Sequence, residues 1–295
     1  MVLRLVVLFF LCISPAFAQI TDPLLFKVSY EGKESLLLGS CHSISLSEFS
    51  PLVKDKLLSS KTLVLEGLET FSDLSKERLK ELPILRQNRG EPWFEELSSQ
   101  LQDYLVKEFE PLIQAFHPEL KVRDLEYWAA FLKYNSPSHF GMDYELQHKH
   151  FKNSEKHALE TLESAMNLIR YDVPNLEVFR KILTQDYAYY LKTGHNYQTS
   201  PEKDKLMAPY REGDIEALKP KGDWPFKIST GARNLKWLPK IIHLHKAKPQ
   251  PLFVVGCYHL FGKKGILNLL REQGFKIQKM NDQGEFSSLD LESYL

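Results

Sequence analysis

Two short strings echo each other from opposite ends of the chain. Gly39-Ser40-Cys41-His42 follows the apolar run Leu36-Leu37-Leu38, and Gly256-Cys257-Tyr258-His259 follows Leu252-Phe253-Val254-Val255. A segment with helical character comes after each. An apolar strand that ends in glycine and then presents a histidine places an imidazole at the rim of a sheet. Open α/β sheets bind ligands at the carboxyl ends of their strands. Two such units, separated by most of the polypeptide, imply one site assembled from both ends of the chain. That in turn requires the two ends to lie side by side in one sheet.

The flanking pattern supports this. Leu25 to Tyr30 and Glu34 to Leu38 surround Glu31-Gly32-Lys33, which reads as a β-hairpin leading into the first motif. Ser47 to Ser59 has helical apolar spacing, and Thr62 to Leu65 is a β-rich run ending in Glu66. A strand-helix-strand crossover makes its two strands parallel and close in the sheet, so His42 and Glu66 emerge at the same rim. The second unit repeats the scheme. The strand Leu252 to Val255 precedes a helix over Gly265 to Gln273, which Gly274 stops, and a strand over Phe275 to Met280. Between the units the spacing is mostly helical: Trp93 to Phe116, Val122 to Tyr134, Gly141 to Lys152, Leu159 to Ile169, Leu176 to Leu191, Asp214 to Leu218 and Ile228 to His245. Ala158 to Thr161 reads equally as a short strand or a helix start. The tail from Asn281 is polar and peripheral. The fold class is therefore α/β (α+β): a central mixed sheet from two strand-helix-strand units at the chain ends, with a large, mostly helical insertion between them.

Composition bears on partners and destination. The 295 residues carry 38 basic and 38 acidic side chains, a balance that points to neither nucleic acid nor an anionic membrane. Hydrophobic content of 43% is ample for one large domain over residues 19–295. Arg4, the apolar stretch Leu5 to Ile13 and the small-x-small triplet Ala16-Phe17-Ala18 read as a signal peptide over residues 1–18, cleaved after Ala18. An uncleaved anchor is the alternative, but the apolar core is short for a membrane span. The mature chain is then exported, periplasmic or extracellular, with no transmembrane segment. It keeps two cysteines, Cys41 and Cys257, both inside the histidine motifs. They are soft ligands, a disulfide pair, or small residues packed in a tight site.

His42, Glu66 and His259 form the central constellation. Two neutral imidazoles and a carboxylate suit a divalent transition metal with an open position, which lowers the pKa of water and polarises a carbonyl. Glu66 is then a third ligand or the base that takes a proton. The alternative is that both histidines are hydrogen-bonded core or turn residues. Arg233 and Asn234 sit on the helix before the second motif; they either bind a substrate carboxylate or oxyanion, or make ordinary helix-surface contacts. Asp143 and Glu160 are either groups that orient ligands or solvated acids. The other histidines read as surface or packing residues. No Gly-x-Ser-x-Gly elbow or His-Glu-x-x-His helix is present.

Taken together, LLLGSCH (36–42), LVLE (63–66), GMD (141–143), LET (159–161), Arg233-Asn234 and VVGCYHL (254–260) with Gly262 and Gly265 resemble the TraB/PrgY/GumN family, which includes the Tiki metalloproteases. The resemblance spans nearly the whole mature chain. It implies an α/β fold in which each half contributes a Gly-x-x-His motif to one cleft. For the Tiki branch it also implies metal-dependent peptide hydrolysis, with manganese or cobalt favoured in those proteins; zinc is a further option here. His42, Glu66 and His259 fall on the family's metal and catalytic positions, Arg233 and Asn234 on its Arg-Asn pair. The cysteines within both motifs depart from the family pattern. The function so implied is an exported metal-dependent hydrolase acting on a peptide or protein substrate. A non-catalytic envelope protein that binds haem, metal or peptide through the same fold is the alternative.

Overall fold

The computed structural model describes residues 20–68, 92–115, 117–135, 141–197, 200–205, 207–218, 227–281 and 283–289. The proposed signal peptide lies outside these residues.

Strands β1 (Leu25–Tyr30) and β2 (Lys33–Ser40) form an antiparallel hairpin in which Tyr30 faces Lys33. The turn residues Glu31 and Gly32 both have positive φ, 49° and 74°. That twist matches the right-handed twist of the flanking strands. Helix α1 (Pro51–Leu58) starts at Ser50, whose side chain accepts from the Val53 N–H, and buries Val53 and Leu57 against the sheet. Strand β3 (Thr62–Leu65) follows, parallel in direction to β2.

The helical middle begins with Ser99–Tyr104, Leu105–Phe109 and Glu110–Gln114, the second of these a π-type turn. Helix α2 (Tyr127–Asn135) comes next, then α3 (Met142–Glu145), whose path continues through a π-type turn over Leu146–His150. Strand β4 (Glu155–Ala158) pairs in parallel with β3. Of the ambiguous stretch Ala158 to Thr161, only Ala158 belongs to a strand, and Thr161 caps α4 (Leu162–Ile169) by accepting from the Ser164 N–H. Helix α5 (Leu176–Thr193) runs from the Asn175 cap to Gly194, which has φ 74°. Helix α6 (Lys227–Ala247) leads into β5 (Pro251–Gly256). Helix α7 (Ile266–Glu272), strand β6 (Lys276–Met280) and strand β7 (Phe286–Ser288) follow. Gly274, at φ 86°, lets the Phe275 N–H return to the Leu270 carbonyl and ends α7.

Among the described residues the sheet has seven strands, in the order β4-β3-β5-β2-β1-β6-β7. Its four-strand half, β4 to β2, is parallel, and the hairpin side is antiparallel. The crossover places β2 and β3 parallel, but they are not neighbours: β5 is inserted between them and pairs with both. All four residues of β3 and the first five of β5 are buried, as parallel strands covered on both faces require. The expected helix from Trp93 starts instead at Ser99, and that from Val122 starts at Tyr127 after a single 3₁₀ turn. Trp93 is fixed by tertiary contacts, its indole N–H donating to the Leu125 carbonyl at 2.8 Å. The polar tail adds β7, which pairs with β6.

Apolar side chains gather in two clusters. One fills the sheet and its covering helices, including Leu37, Leu38, Phe253, Val254, Trp237 and Leu267. The other lies within the helical middle around Trp93, Phe109, Phe131, Tyr134 and Phe179. Among the described residues no helix is long and apolar enough to cross a membrane.

Candidate active site

The site forms where the parallel strands end. Ser40 of β2 pairs with Gly256 of β5, so the two Gly-x-x-His motifs leave the sheet side by side. Their glycines make this possible. A Cβ on Gly39 would lie 2.4 Å from Leu260 Cδ1 and 3.3 Å from Cys257 Cα, so the second motif packs directly on the first. A Cβ on Gly256 would meet Glu66 Oε1 at 3.2 Å. The bare backbone there allows the Gly256 N–H to donate to Glu66 Oε1 at 2.6 Å. Past the ends of β3 and β4 the ladder continues, with the Glu160 N–H donating to the Glu66 carbonyl at 2.8 Å. Glu66 and Glu160 therefore stand side by side.

His259 closes a 3₁₀ turn over Cys257–His259 and is 5% exposed. Asn234, on α6, determines its tautomer. The Asn234 amide nitrogen donates to the carbonyls of His259 (3.0 Å) and Lys264 (2.8 Å), so its Oδ1 faces the ring and accepts from His259 Nδ1 at 2.5 Å. The Nε2 atom is left with its lone pair. Burial lowers the His259 pKa to about 4, against the opposing pull of Glu66, so the ring is neutral at pH 7. Trp237, one helical turn beyond Arg233, stacks on the imidazole at 4.5 Å between centroids.

His42 differs. Its side chain is 57% exposed, at the mouth of the site. Its Nδ1 donates to Asp143 Oδ2 at 2.6 Å. Asp143 reaches it because Gly141 packs against the first motif: a Cβ there would lie 2.0 Å from the His42 carbonyl oxygen. The Asp143 carboxylate raises the His42 pKa to about 9. His42 is near enough to favour the ionised form of Glu66 and to disfavour protonation of His259.

Arg233 sits at the centre, 7% exposed. Its Nη2 donates to Glu66 Oε2 at 2.6 Å, its Nε to Glu160 Oε1 at 2.7 Å, and its Nη1 lies 3.1 Å from His259 Nε2, which accepts. The guanidinium also stands 4.6 Å over the Trp237 ring. Burial opposes ionisation of Glu66, yet Arg233, the two histidines and the Gly256 N–H together outweigh it and hold the pKa at about 2. Burial raises that of Glu160 despite Arg233. The second oxygen of Glu66 lies 3.7 Å from His259 Nε2.

Cys41 and Cys257 are free. Burial pushes the Cys41 thiol up to about 11 and the Cys257 thiol higher still, so neither is a ready thiolate. Cys41 Sγ instead contacts Met207 Sδ at 3.5 Å.

The structure thus joins Glu66, His259, Arg233, Asn234 and Glu160 in one hydrogen-bonded cluster, with His42 and Asp143 as a second pair beside it. Glu160 serves Arg233 rather than a histidine. Sequence reasoning passed over Trp237, although its spacing four residues after Arg233 puts both on one helix face. It also missed Tyr210, whose buried hydroxyl donates to the Gly39 carbonyl at 2.6 Å; no local signal marks that residue.

A metal ion, which the family resemblance implies, can be tested against this donor set. Each histidine has Nδ1 engaged by an oxygen, the arrangement found around metal-binding imidazoles, but the His259 Nε2 lone pair is taken by Arg233 Nη1. Glu66 adds an ionised carboxylate. The residue types suit a divalent ion, but their placement does not. Among the described residues no three His, Cys, Asp or Glu side chains are close enough to share one ion; the Arg233 guanidinium lies among His259, Glu66 and Glu160. Neither a curated protein nor a solved structure matches the chain. Residues 24–279, from the start of the hairpin into β6, match the sequence model of the TraB/PrgY/gumN family, and the chain belongs to that family.

Proposed function

We propose that this protein is an exported metal-dependent hydrolase acting on a peptide or protein substrate. One observation carries the reading: the two histidines, brought to one sheet rim from opposite ends of the chain, both have Nδ1 tied to an oxygen and both lie near an ionised glutamate. His42, His259 and Glu66 are the residues that would hold a divalent ion, with manganese or cobalt first and zinc next. Such an ion, when bound, polarises a substrate carbonyl and makes water a stronger nucleophile at neutral pH.

The chain's own residues have separable tasks. A carboxylate held near 2 is ionised throughout the usable pH range and is a weak proton acceptor, which supports Glu66 as ligand rather than base. Asn234 and Asp143 hold the two imidazoles in orientation. Asp143 keeps His42 protonated at neutral pH, so His42 would have to lose a proton before it could hold a metal. Trp237 covers one face of His259 and excludes water from it. Arg233 supplies positive charge for the substrate carboxylate or the oxyanion that develops on the attacked carbonyl. Export is supported by Arg4, Leu5 to Ile13 and the Ala16-Phe17-Ala18 triplet.

The non-catalytic alternative, a haem-, metal- or peptide-binding protein, has one observation in its favour: the His259 Nε2 lone pair accepts from Arg233. Metal analysis of wild type and His259→Ala, together with peptide-library cleavage by wild type and His42→Ala, decides between them. Hydrolysis predicts metal in wild type, a loss in His259→Ala, and cleavage that His42→Ala abolishes. Equal metal content in both proteins, or cleavage unaffected by His42→Ala, refutes it.

A further inference from the structure

The two cysteines that remain once residues 1–18 are removed sit at matching places in the sheet. Ser40 and Gly256 are the last paired residues of β2 and β5, and Cys41 and Cys257 follow them directly. Neighbouring strands lie about 4.8 Å apart, inside the Cα separation of about 4.4–6.8 Å that a disulfide spans. The two chains do not diverge at this point. Cys257 Cα lies 3.3 Å from where a Gly39 Cβ would be, so the turn over Cys257–His259 folds across β2 on the face that the Gly39 position addresses. Cys41 is two residues on from Gly39, and strand alternation sends its side chain to the same face. The thiols are near enough that charge on Cys41 would oppose ionisation of Cys257. Cys41 Sγ rests on Met207 Sδ at 3.5 Å, a weak contact that turning one side-chain bond gives up. No other cysteine competes: the sequence has three, and the third, Cys12, lies in the proposed signal peptide.

We propose that the mature exported chain carries a Cys41–Cys257 disulfide, which staples the exits of β2 and β5 and so holds the two Gly-x-x-His motifs together; the free thiols are its reduced form. The inference rests on export, one part of the function proposed above, and not on a metal. Exported proteins meet an oxidising compartment, whose small-molecule or protein disulfides serve as oxidant. One cysteine thiolate attacks a sulfur of such a disulfide, forming a mixed disulfide and releasing one thiol. The other cysteine then displaces the second thiol and closes the bridge. The two cysteines give up two electrons and two protons, and the oxidant takes up both as it becomes two thiols. Closure belongs to the folding chain, because in the folded protein burial raises both thiols and neither attacks readily. The same burial then shields the finished bridge from reductants.

The test expresses the full chain, residues 1–18 included, in an exporting host. Thiols are trapped with an alkylating reagent before lysis and counted by mass spectrometry of the denatured protein. The expected result is a chain that begins at Gln19, carries no alkyl group before reduction and two after it, and yields a non-reduced peptide joining the segments that hold Cys41 and Cys257. The bridge closes a loop of most of the chain, so reduction should lower Tm by roughly 5–10 °C. A Cys41→Ser, Cys257→Ser double variant should melt with reduced wild type and ignore reductant. Two alkylated thiols in the unreduced exported protein overturn the bridge and leave export and hydrolysis standing. So do cysteines capped by separate small thiols or joined to a second chain. A chain retained with residues 1–18 attached overturns the bridge together with export. The peptide map of wild type decides the matter even where the double variant does not fold.

Discussion

Asn234 is the most economical place to test the architecture of the site. Its amide makes three hydrogen bonds: it accepts from His259 Nδ1 at 2.5 Å and donates to the carbonyls of His259 and Lys264 at 3.0 and 2.8 Å. At 1% exposure, water cannot readily take over any of them. Each such bond contributes about 1 kcal/mol net, and orphaned buried partners add to the loss, so Asn234→Ala should cost about 3 kcal/mol or more. For a chain of this size that lowers Tm by roughly 6–12 °C. Asn234→Asp separates the two roles of the amide. It keeps an acceptor for the imidazole N–H but can donate to neither carbonyl, and it sets a carboxylate beside a ring whose pKa burial has lowered to about 4. The His259 pKa should therefore rise in Asn234→Asp, read from its ring proton in an NMR titration of metal-free protein. A Tm of Asn234→Ala within about 2 °C of wild type would show that the three bonds do not hold the second motif to α6. An unmoved His259 titration in Asn234→Asp would refute the assignment of the tautomer.

Other outcomes follow from separate parts of the molecule. His245 is buried beside Phe275, its Nδ1 2.6 Å from Ser35 Oγ, and burial lowers its pKa. The fold favours the neutral ring, so its contribution is complete above the unfolded value of about 6.5 and is lost as pH falls toward the folded one; thermal melts between pH 5 and 7.5 should be steeper in wild type than in His245→Gln, and parallel curves would contradict this. Gly141→Ala would force a Cβ to within 2.0 Å of the His42 carbonyl oxygen. It should destabilise by about 3 kcal/mol, measured by urea unfolding, and weaken metal binding with it; a variant as stable as wild type would mean that α3 does not pack on the first motif. Tyr134→Phe removes a buried hydroxyl that donates to Asp186 Oδ2 at 2.7 Å, with an expected loss of about 1.5–3 kcal/mol in the same assay. A loss below about 0.5 kcal/mol would indicate that Asp186 is satisfied without it.

Legibility varied with how locally each feature is encoded. The β1–β2 hairpin was readable because Glu31-Gly32 supplies the positive φ that its turn needs, and α7 because Gly274 ends it. Strands β3 and β5 announced themselves as apolar runs at motif boundaries. Strand β4 did not. Glu155-Lys156-His157-Ala158 is short and polar, and it is a strand only because β3 offers an edge to pair with. The start at Ser99 rather than Trp93 has a similar origin: Trp93 has helical spacing from later apolar residues, but its indole is committed to Leu125 and its ring to Phe179. In the site, His42, Glu66 and His259 could be singled out from residue type and position alone. That Glu160 pairs with Arg233 and not with a histidine could not, since the partners are 73 positions apart.

By itself the sequence determined that two equivalent strand ends would each present a histidine, that the fold would be a mixed sheet with a helical insertion, and which family the chain belongs to. Those properties depend on local periodicity, glycine placement and motif order, all of which survive in one dimension. Only the tertiary structure decided that β5 separates β2 from β3, that Asp143 falls to His42 and Asn234 to His259, and that Arg233 is seated among Glu66, Glu160 and His259. Each of these is a contact between groups distant along the chain, and its partner is selected by geometry and charge after the backbone has packed.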